Sequence, residues 1–192
     1  GDKILIAVSG GPDSIFLFSF LLYLKDKYNL FLKTAFIHHH LRKQADEEFL
    51  YVKELSKKYN IPFYYRNIKI EGKTGIEEKC RRERYHQLYQ IAKKTTSNKI
   101  ATGHTLDDNV ESVLLNFLRG SGLSGLSGIL PKRQIYKNSD ILLIRPILVI
   151  RKKEIEKYLK EKGIKYYIDR SNLDTKFKRN LIRYKIIPYI ER

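Results

Sequence analysis

The chain is short of cysteine and of acid. One cysteine, Cys80, stands among 192 residues, with no methionine, no tryptophan and only five prolines. A lone thiol excludes an internal disulfide, a cysteine-built zinc site and an iron–sulfur cluster held by this chain alone. Its plainest role is a small, partly buried residue on a helix, and a cytosol-like compartment is expected. No apolar run approaches the roughly 18 residues that a membrane span needs. Gly1-Asp2-Lys3 leads straight into an apolar run without the pattern of a secretion signal, so no leader is expected. The shortage of acid is large: 38 Lys and Arg against 21 Asp and Glu leave a net charge of +17. Such a chain suits a polyanionic partner, nucleic acid above all, through phosphate neutralisation and counterion release. The abundance of Lys, Ile, Tyr and Asn is a compositional bias that accounts for part of the same charge. With 42% hydrophobic residues and no low-complexity stretch, the chain reads as one globular domain of ordinary size.

Apolar runs alternate with amphipathic segments in the rhythm of βα units. Strands are expected at Lys3–Val8, Leu32–His38, Phe63–Ile68, Lys99–Thr102 and Ile141–Ile144. Helices are expected at Asp13–Lys27, Lys43–Tyr59, Ile76–Thr95, His104–Arg119 and Arg151–Lys162, the last stopped by Gly163. Gly120–Gly128 reads as a glycine-punctuated loop, and Tyr166–Arg192 as a short extended piece with a basic helix that Pro188 ends or kinks. The implied fold is α/β: a doubly wound, Rossmann-like parallel sheet with helices on both faces and ligands at the carboxyl ends of its strands.

Ser9-Gly10-Gly11-Pro12-Asp13-Ser14 falls at that edge, between the first strand and the first helix. Two adjacent glycines let the backbone turn its N–H groups onto an anion, and the helix N-terminus adds donors and partial positive charge. Ser9 and Ser14 bring hydroxyls. Asp13 is out of place beside phosphate unless a cation lies between them, so it points to Mg2+; its plainer alternative is a helix cap. Two other glycine motifs fail on context. Gly72-Lys73-Thr74 lacks the first glycine of a Walker A loop, since Asn67 stands there, and Gly120-Ser121-Gly122-Leu123-Ser124-Gly125 follows a helix rather than a strand. The run His38-His39-His40 is a poor metal site, because successive side chains of an extended segment alternate faces.

The Ser-Gly-Gly-x-Asp-Ser loop resembles that of the PP-loop (N-type) ATP pyrophosphatases. Further segments are similar, in order, to the tRNA(Ile)-lysidine synthetase family: His39-x-Leu41-Arg42; Ile76-Glu77-Glu78-x-x-Arg81-x-x-Arg84-Tyr85; and Ala101-Thr102-Gly103-His104-Thr105-x-Asp107-Asp108-x-x-Glu111. So are Arg119-Gly120-Ser121-Gly122-Leu123-x-Gly125-Leu126, Arg145-Pro146, and the terminal run from Asp169 through Ser171, Asn172, Asp174, Phe177, Arg179, Asn180 and Ile182 to Arg183. Departures fall at His38, His40 and Arg170.

The resemblance implies an enzyme that uses ATP to adenylate the wobble cytidine of the CAU-anticodon isoleucine tRNA. L-lysine then displaces AMP to give lysidine. It implies ATP on Ser9, Gly10, Gly11, Pro12, Asp13, Ser14, His39, Gly103 and His104, with Mg2+ at Asp13. Lysine's ammonium groups would go to Asp108 and Glu111, and its carboxylate, or the α-phosphate, to Arg81. Asp13, Asp108 and Arg81 would be the catalytic set. Arg179, Asn180 and Arg183 would face tRNA or close the site. Residues 1–165 would form the catalytic domain, and 166–192 a motif-bearing segment and linker helix towards a C-terminal domain such as relatives carry. A tRNA thiolase with the same loop, which usually needs cysteine pairs, and a non-catalytic nucleotide-binding module are the alternatives. Oligomeric state stays open, a homodimer included.

Overall fold

A computed structural model of the chain describes residues 1–38, 44–68, 75–168 and 178–190. His39 and Arg42, the Gly72-Lys73-Thr74 run, and the terminal motif from Asp169 to Phe177 lie outside the described residues.

Six strands form one sheet: β1 (Lys3–Ala7), β2 (Phe31–His38), β3 (Phe63–Asn67), β4 (Lys99–Ala101), β5 (Lys132–Gln134) and β6 (Leu142–Ile144). Their order is β3-β2-β1-β4-β6-β5, parallel throughout except that β5 runs antiparallel to β6. The helices are α1 (Pro12–Leu24), α2 (Gln44–Lys58), α3 (Ile76–Lys94), α4 (Leu106–Leu118), α5 (Leu123–Leu126), α6 (Lys152–Glu161), α7 (Lys178–Leu181) and α8 (Ile187–Ile190).

Alternation in β1 sorts the core into two halves. Ile4, Ile6 and Val8 join Ile15, Leu17, Phe18 and Leu21 of α1 and Ile155 and Leu159 of α6. Leu5, on the opposite face, joins Leu88, Ile91 and Ala92 of α3 with Ile100 and Leu143. Strands buried on both faces are continuous apolar runs for this reason. The sheet's winding reverses between β1 and β4, so the loops that leave these two neighbours splay apart and open a crevice at their carboxyl ends.

Two expectations are corrected, the start of α4 and the loop at 120–128. α4 begins at Leu106, not His104, because Thr105 makes an N-terminal capping box with Asp108. Its apolar residues do not pack on the sheet: Val110 is 39% and Phe117 65% exposed, while Glu111 on the other side is wholly buried. The stretch 120–128 contains the short helix α5, and Lys132–Gln134, too polar to signal a strand, pairs at the sheet edge with β6.

After α7, the C-terminal segment widens into a π-helical turn at Ile182–Ile186 before α8. Pro188 is the second residue of α8 and has no N–H to give to the preceding turn, yet the helix runs through it to Ile190.

Candidate active site

The loop after β1 turns sharply and presents backbone N–H groups at the start of α1. Gly10 has φ +87, a conformation that costs an L side chain dearly, and a Cβ there would also press on Glu48 at 3.1 Å. Gly11 is the N-cap of α1, makes no side-chain cap hydrogen bond, and Pro12 takes the first helical position. Asp13 therefore does not cap α1. Ser14 Oγ donates to Gly11 O (2.9 Å) and accepts from Ser9 N (3.1 Å), which fixes the curl of the loop. The N–H groups of Gly11, Asp13 and Ser14 have no acceptor among the described residues. Those are the donors a phosphate needs.

The loop after β4 closes on this one from across the crevice. A Cβ on Gly103 would lie 3.1 Å from the Asp13 carbonyl, so a side chain there would push the two loops apart by a few tenths of an ångström. His104 stands just before the cap of α4, its Nδ1 3.0 Å from Thr102 Oγ1. Burial holds its pKa down at about 4, so the ring is neutral near pH 7.

Lys152, the first residue of α6, ties the two sides together. Its Nζ lies 2.9 Å from Asp108 Oδ1 and 3.6 Å from Asp13 Oδ2, and its backbone N–H donates to Asp107 Oδ2 at 2.8 Å. A cation opposes the dipole of its own helix N-terminus, and these carboxylates offset that. Burial works to lower the pKa of Lys152, but Asp108 and Asp13 outweigh it and raise it.

The two carboxylates respond in opposite directions. Burial dominates at Asp13 and pushes it up to about 6 despite the ammonium. Burial also works to raise Asp108, yet the charge and hydrogen bond of Lys152, with the Thr105 backbone N–H, hold it below the usual range. Asp108 Oδ2 accepts from Thr105 N and Oγ1, both at 3.0 Å.

Glu111, one turn on, is fully buried and fully engaged. Arg183 donates from Nε to Oε1 at 2.5 Å and from Nη2 to Oε2 at 2.9 Å; Arg179 Nε reaches Oε2 at 3.1 Å. Arg183 also lies 3.6 Å from Asp108. Burial works against the Arg183 charge, but Glu111 raises its pKa strongly. Asn180 is buried. The described part of the C-terminal segment is thus drawn inward over α4, and Arg179 keeps the most exposed side chain of its ion pairs, at 42%.

Arg81 forms no bond with Asp108 or Glu111. It lines a neighbouring cavity of about 330 Å³ together with Arg119, Arg133, Arg145 and Arg179.

The structure therefore brings together Ser9–Ser14, Gly103, His104, Asp108, Glu111, Arg179 and Arg183, and leaves Arg81 across the cavity. Lys152 escaped sequence reasoning because nothing marks it among 38 basic residues; its one signal is its place at the start of the helix after Arg145-Pro146. Among the described residues no group of three His, Cys, Asp or Glu could hold a metal by itself. Mg2+ commonly uses one or two carboxylates plus substrate phosphates. Asp13, still raised to about 6 beside an ammonium, has room for more positive charge, so the residues fit a magnesium that arrives with the nucleotide. No helix of the described residues is long and apolar enough to cross a membrane.

Comparison with known proteins places the chain. It is 38% identical to a tRNA(Ile)-lysidine synthase from Thermosipho africanus, aligning 97% of this chain with 43% of that protein. It is 41% identical to one from Caldanaerobacter subterraneus subsp. tengcongensis, aligning 99% with 40%. The chain thus spans about two fifths of the length of the curated relatives it matches. Among solved structures, a U34-tRNA thiolase from Methanococcus maripaludis superposes with a TM-score of 0.74 over 87% of this chain and 58% of that one, at 19% identity. An NMN synthetase from Francisella tularensis gives 0.55 over 85% and 63%, at 14% identity. At those identities the likeness is one of fold. The model of the PP-loop domain matches residues 1–190, and the chain belongs to the PP-loop family.

Proposed function

We propose that this chain is the catalytic part of an enzyme that joins L-lysine to the wobble cytidine of a CAU-anticodon isoleucine tRNA, by way of an adenylated cytidine. One observation carries the reading. Across the β1/β4 crevice, a loop with three unused N–H donors faces the carboxylates of α4, with the Lys152 ammonium between them. Phosphate chemistry and ammonium recognition thereby share one crevice, and the lysidine synthases are the relatives that match nearly the whole chain.

ATP lies with its phosphates on Ser9–Ser14, where Gly11, Asp13 and Ser14 donate to them. Gly103 and His104 form the facing wall, and His39 belongs to the nucleotide side by resemblance. Asp13 would hold magnesium, which when bound neutralises phosphate charge. Cytidine O2 attacks the α-phosphorus, and pyrophosphate leaves; the chain contributes positioning and fixed donors.

Lysine's neutral ε-amine then attacks C2 of the base and AMP departs. Asp108 holds an ammonium group or takes the released proton. Arg81 meets the carboxylate from the far side. Glu111, saturated by two guanidiniums, reaches lysine once Arg179 or Arg183 withdraws. Their withdrawal would also turn the terminal motif of Arg179, Asn180 and Arg183 towards tRNA. An anticodon loop presents its base already unpaired. The work belongs to a cytosol-like compartment.

The test is direct. Chain, ATP, labelled lysine and tRNA with a CAU anticodon should give a lysine–cytidine adduct on nuclease digestion. Labelled sulfur incorporated in its place, or ATP binding without any transfer, would sink the proposal.

A further inference from the structure

The cavity beside Glu111 carries positive charge that the described residues do not balance. Arg81 reaches it from α3, Arg119 from the end of α4, Arg133 from β5 and Arg145 from the segment after β6. None of these four makes an ion pair with a carboxylate of the described residues; Arg179 alone does, to Glu111. A guanidinium keeps its proton throughout the accessible pH range, so this charge cannot be shed.

Arg145 is the sharpest case. Only 5% of it is exposed, its Nη1 bonds to the Leu130 carbonyl, Tyr85 supports its charge, and its buried Nε has no hydrogen-bond partner among the described residues. Charged side chains this buried are almost always paired. Arg81 and Arg133 flank the Tyr85 ring at 6.0 and 5.8 Å, which orients both without neutralising either. Arg119 has no side-chain partner among the described residues.

We infer that this cavity seats successive backbone phosphates of the RNA strand that enters the crevice, with Arg119, Arg133 and Arg145 as their donors. The inference rests on the tRNA reading above. Geometry favours RNA over the two smaller anions at hand. Ser112, Asn116 and Arg119 share one face of α4, and no residue of the Ser9–Ser14 loop lines the cavity. From Asp108 to Arg119 is 11 residues, about 16 Å of helix at 1.5 Å each. That takes Arg119 beyond an amino acid held at Asp108, and a strand running through the crevice covers the distance. A single lysine carboxylate would also leave most of the four charges unanswered, whereas successive phosphodiesters answer them. The volume, about 330 Å³, suits one nucleotide unit, and bidentate guanidinium–phosphate bonding suits arginine.

The experiment compares wild type with Arg119→Gln and the double variant Arg119→Gln/Arg133→Gln. Binding of a CAU anticodon stem–loop is measured across salt concentrations, with ATP, free L-lysine and inorganic pyrophosphate measured alongside. Each lost phosphate contact should lower the log–log salt slope by about 0.7–0.9. The double variant should therefore lose about 1.4–1.8 in slope while ATP and lysine bind as before. Arg119, exposed at the end of its helix, serves as the variant least able to disturb folding, and should alone show half the change. An unchanged slope, or a selective loss of lysine or pyrophosphate binding, would overturn the inference and leave the lysidine reading intact. Wild type that binds no RNA would sink both.

Discussion

Two halves of the same crevice treat charge in opposite ways. In the acidic half Asp13, Asp108 and Glu111 each already have a cation: Asp13 and Asp108 share Lys152, and Glu111 takes two arginines. In the basic half four arginines face one cavity with no carboxylate between them. A self-neutralised cluster holds its shape without a ligand and has to be opened before a ligand can use it. An unbalanced cluster is finished only when an anion arrives. The contrast teaches where the chain is built for stability and where for capture. Changes in the first half should cost folding or chemistry, and changes in the second should cost affinity.

The largest expected effect is on the acidic side. Glu111→Gln leaves two guanidiniums, one of them mostly buried, around a neutral amide. Breaking a buried pair in this way costs about 3–5 kcal/mol, read as a lower denaturation midpoint and a loosened C-terminal segment in hydrogen exchange. A melt equal to wild type would mean that Glu111 does not organise the closure.

Next comes Asp108→Asn. Asn keeps an oxygen for Thr105, so the cap survives, but the charged hydrogen bond is lost. Lysine use should fall by about 10- to 150-fold with ATP affinity little changed. Parallel losses of both would erase the distinction between the lysine side and the nucleotide side.

Lys152→Met sharpens the comparison by unbalancing the acidic half. Without the ammonium, the Asp13 carboxyl, already at about 6, rises further by about one unit or more. The acid limb of the rate profile should move to higher pH, and more magnesium should be needed. A profile that does not move would show the Lys152 contacts to be incidental.

The smallest effect is on stability against pH, where two groups oppose each other. His104, held at about 4 against 6.5, contributes stability above pH 6.5 that is lost as pH falls through 4. Asp13, raised to about 6 against 3.8, contributes stability below pH 3.8 that is lost as pH rises through 6. Between pH 4 and 6 the two nearly cancel. His104→Asn should therefore make the protein gain stability on acidification, and Asp13→Asn should make it lose stability. Each change is at most about 3 kcal/mol. Asp13→Asn should also melt above wild type at pH 7 while losing adenylation, since it removes a charge that burial disfavours. The same slope in wild type and both variants would mean that neither group titrates as described.

Much of this was legible in the sequence. The continuous apolar run in Lys3–Ala7, two glycines and Pro12 specify a strand, a tight anion loop and a helix start with little help from tertiary contacts. The failures are those where partners distant in sequence decide. Thr105 and Asp108 make a capping box with Asp in place of Glu, which moved the start of α4 two residues. Val110, Val113, Leu114 and Phe117 form an apolar stripe, yet Glu111 faces inward because Arg179 and Arg183, 68 and 72 residues away, neutralise it. Lys152 reaches Asp108 across 44 residues, and no local pattern encodes that. The strand Lys132–Gln134 exists because β6 offers an edge, not because its residues favour one.

The measurement that goes most directly to the account is a two-step single turnover with α-labelled ATP and CAU-anticodon RNA, lysine being added second. Wild type should form adenylated RNA before lysine is present and lose it on lysine addition. Asp108→Asn should form the adenylate at nearly the wild-type rate and discharge it slowly. Arg119→Gln/Arg133→Gln should form little adenylate at moderate salt and recover at low salt. Adenylation that fails in Asp108→Asn while discharge stays fast, or that ignores salt in the arginine variant, would contradict the division of the crevice into a lysine half and an RNA half.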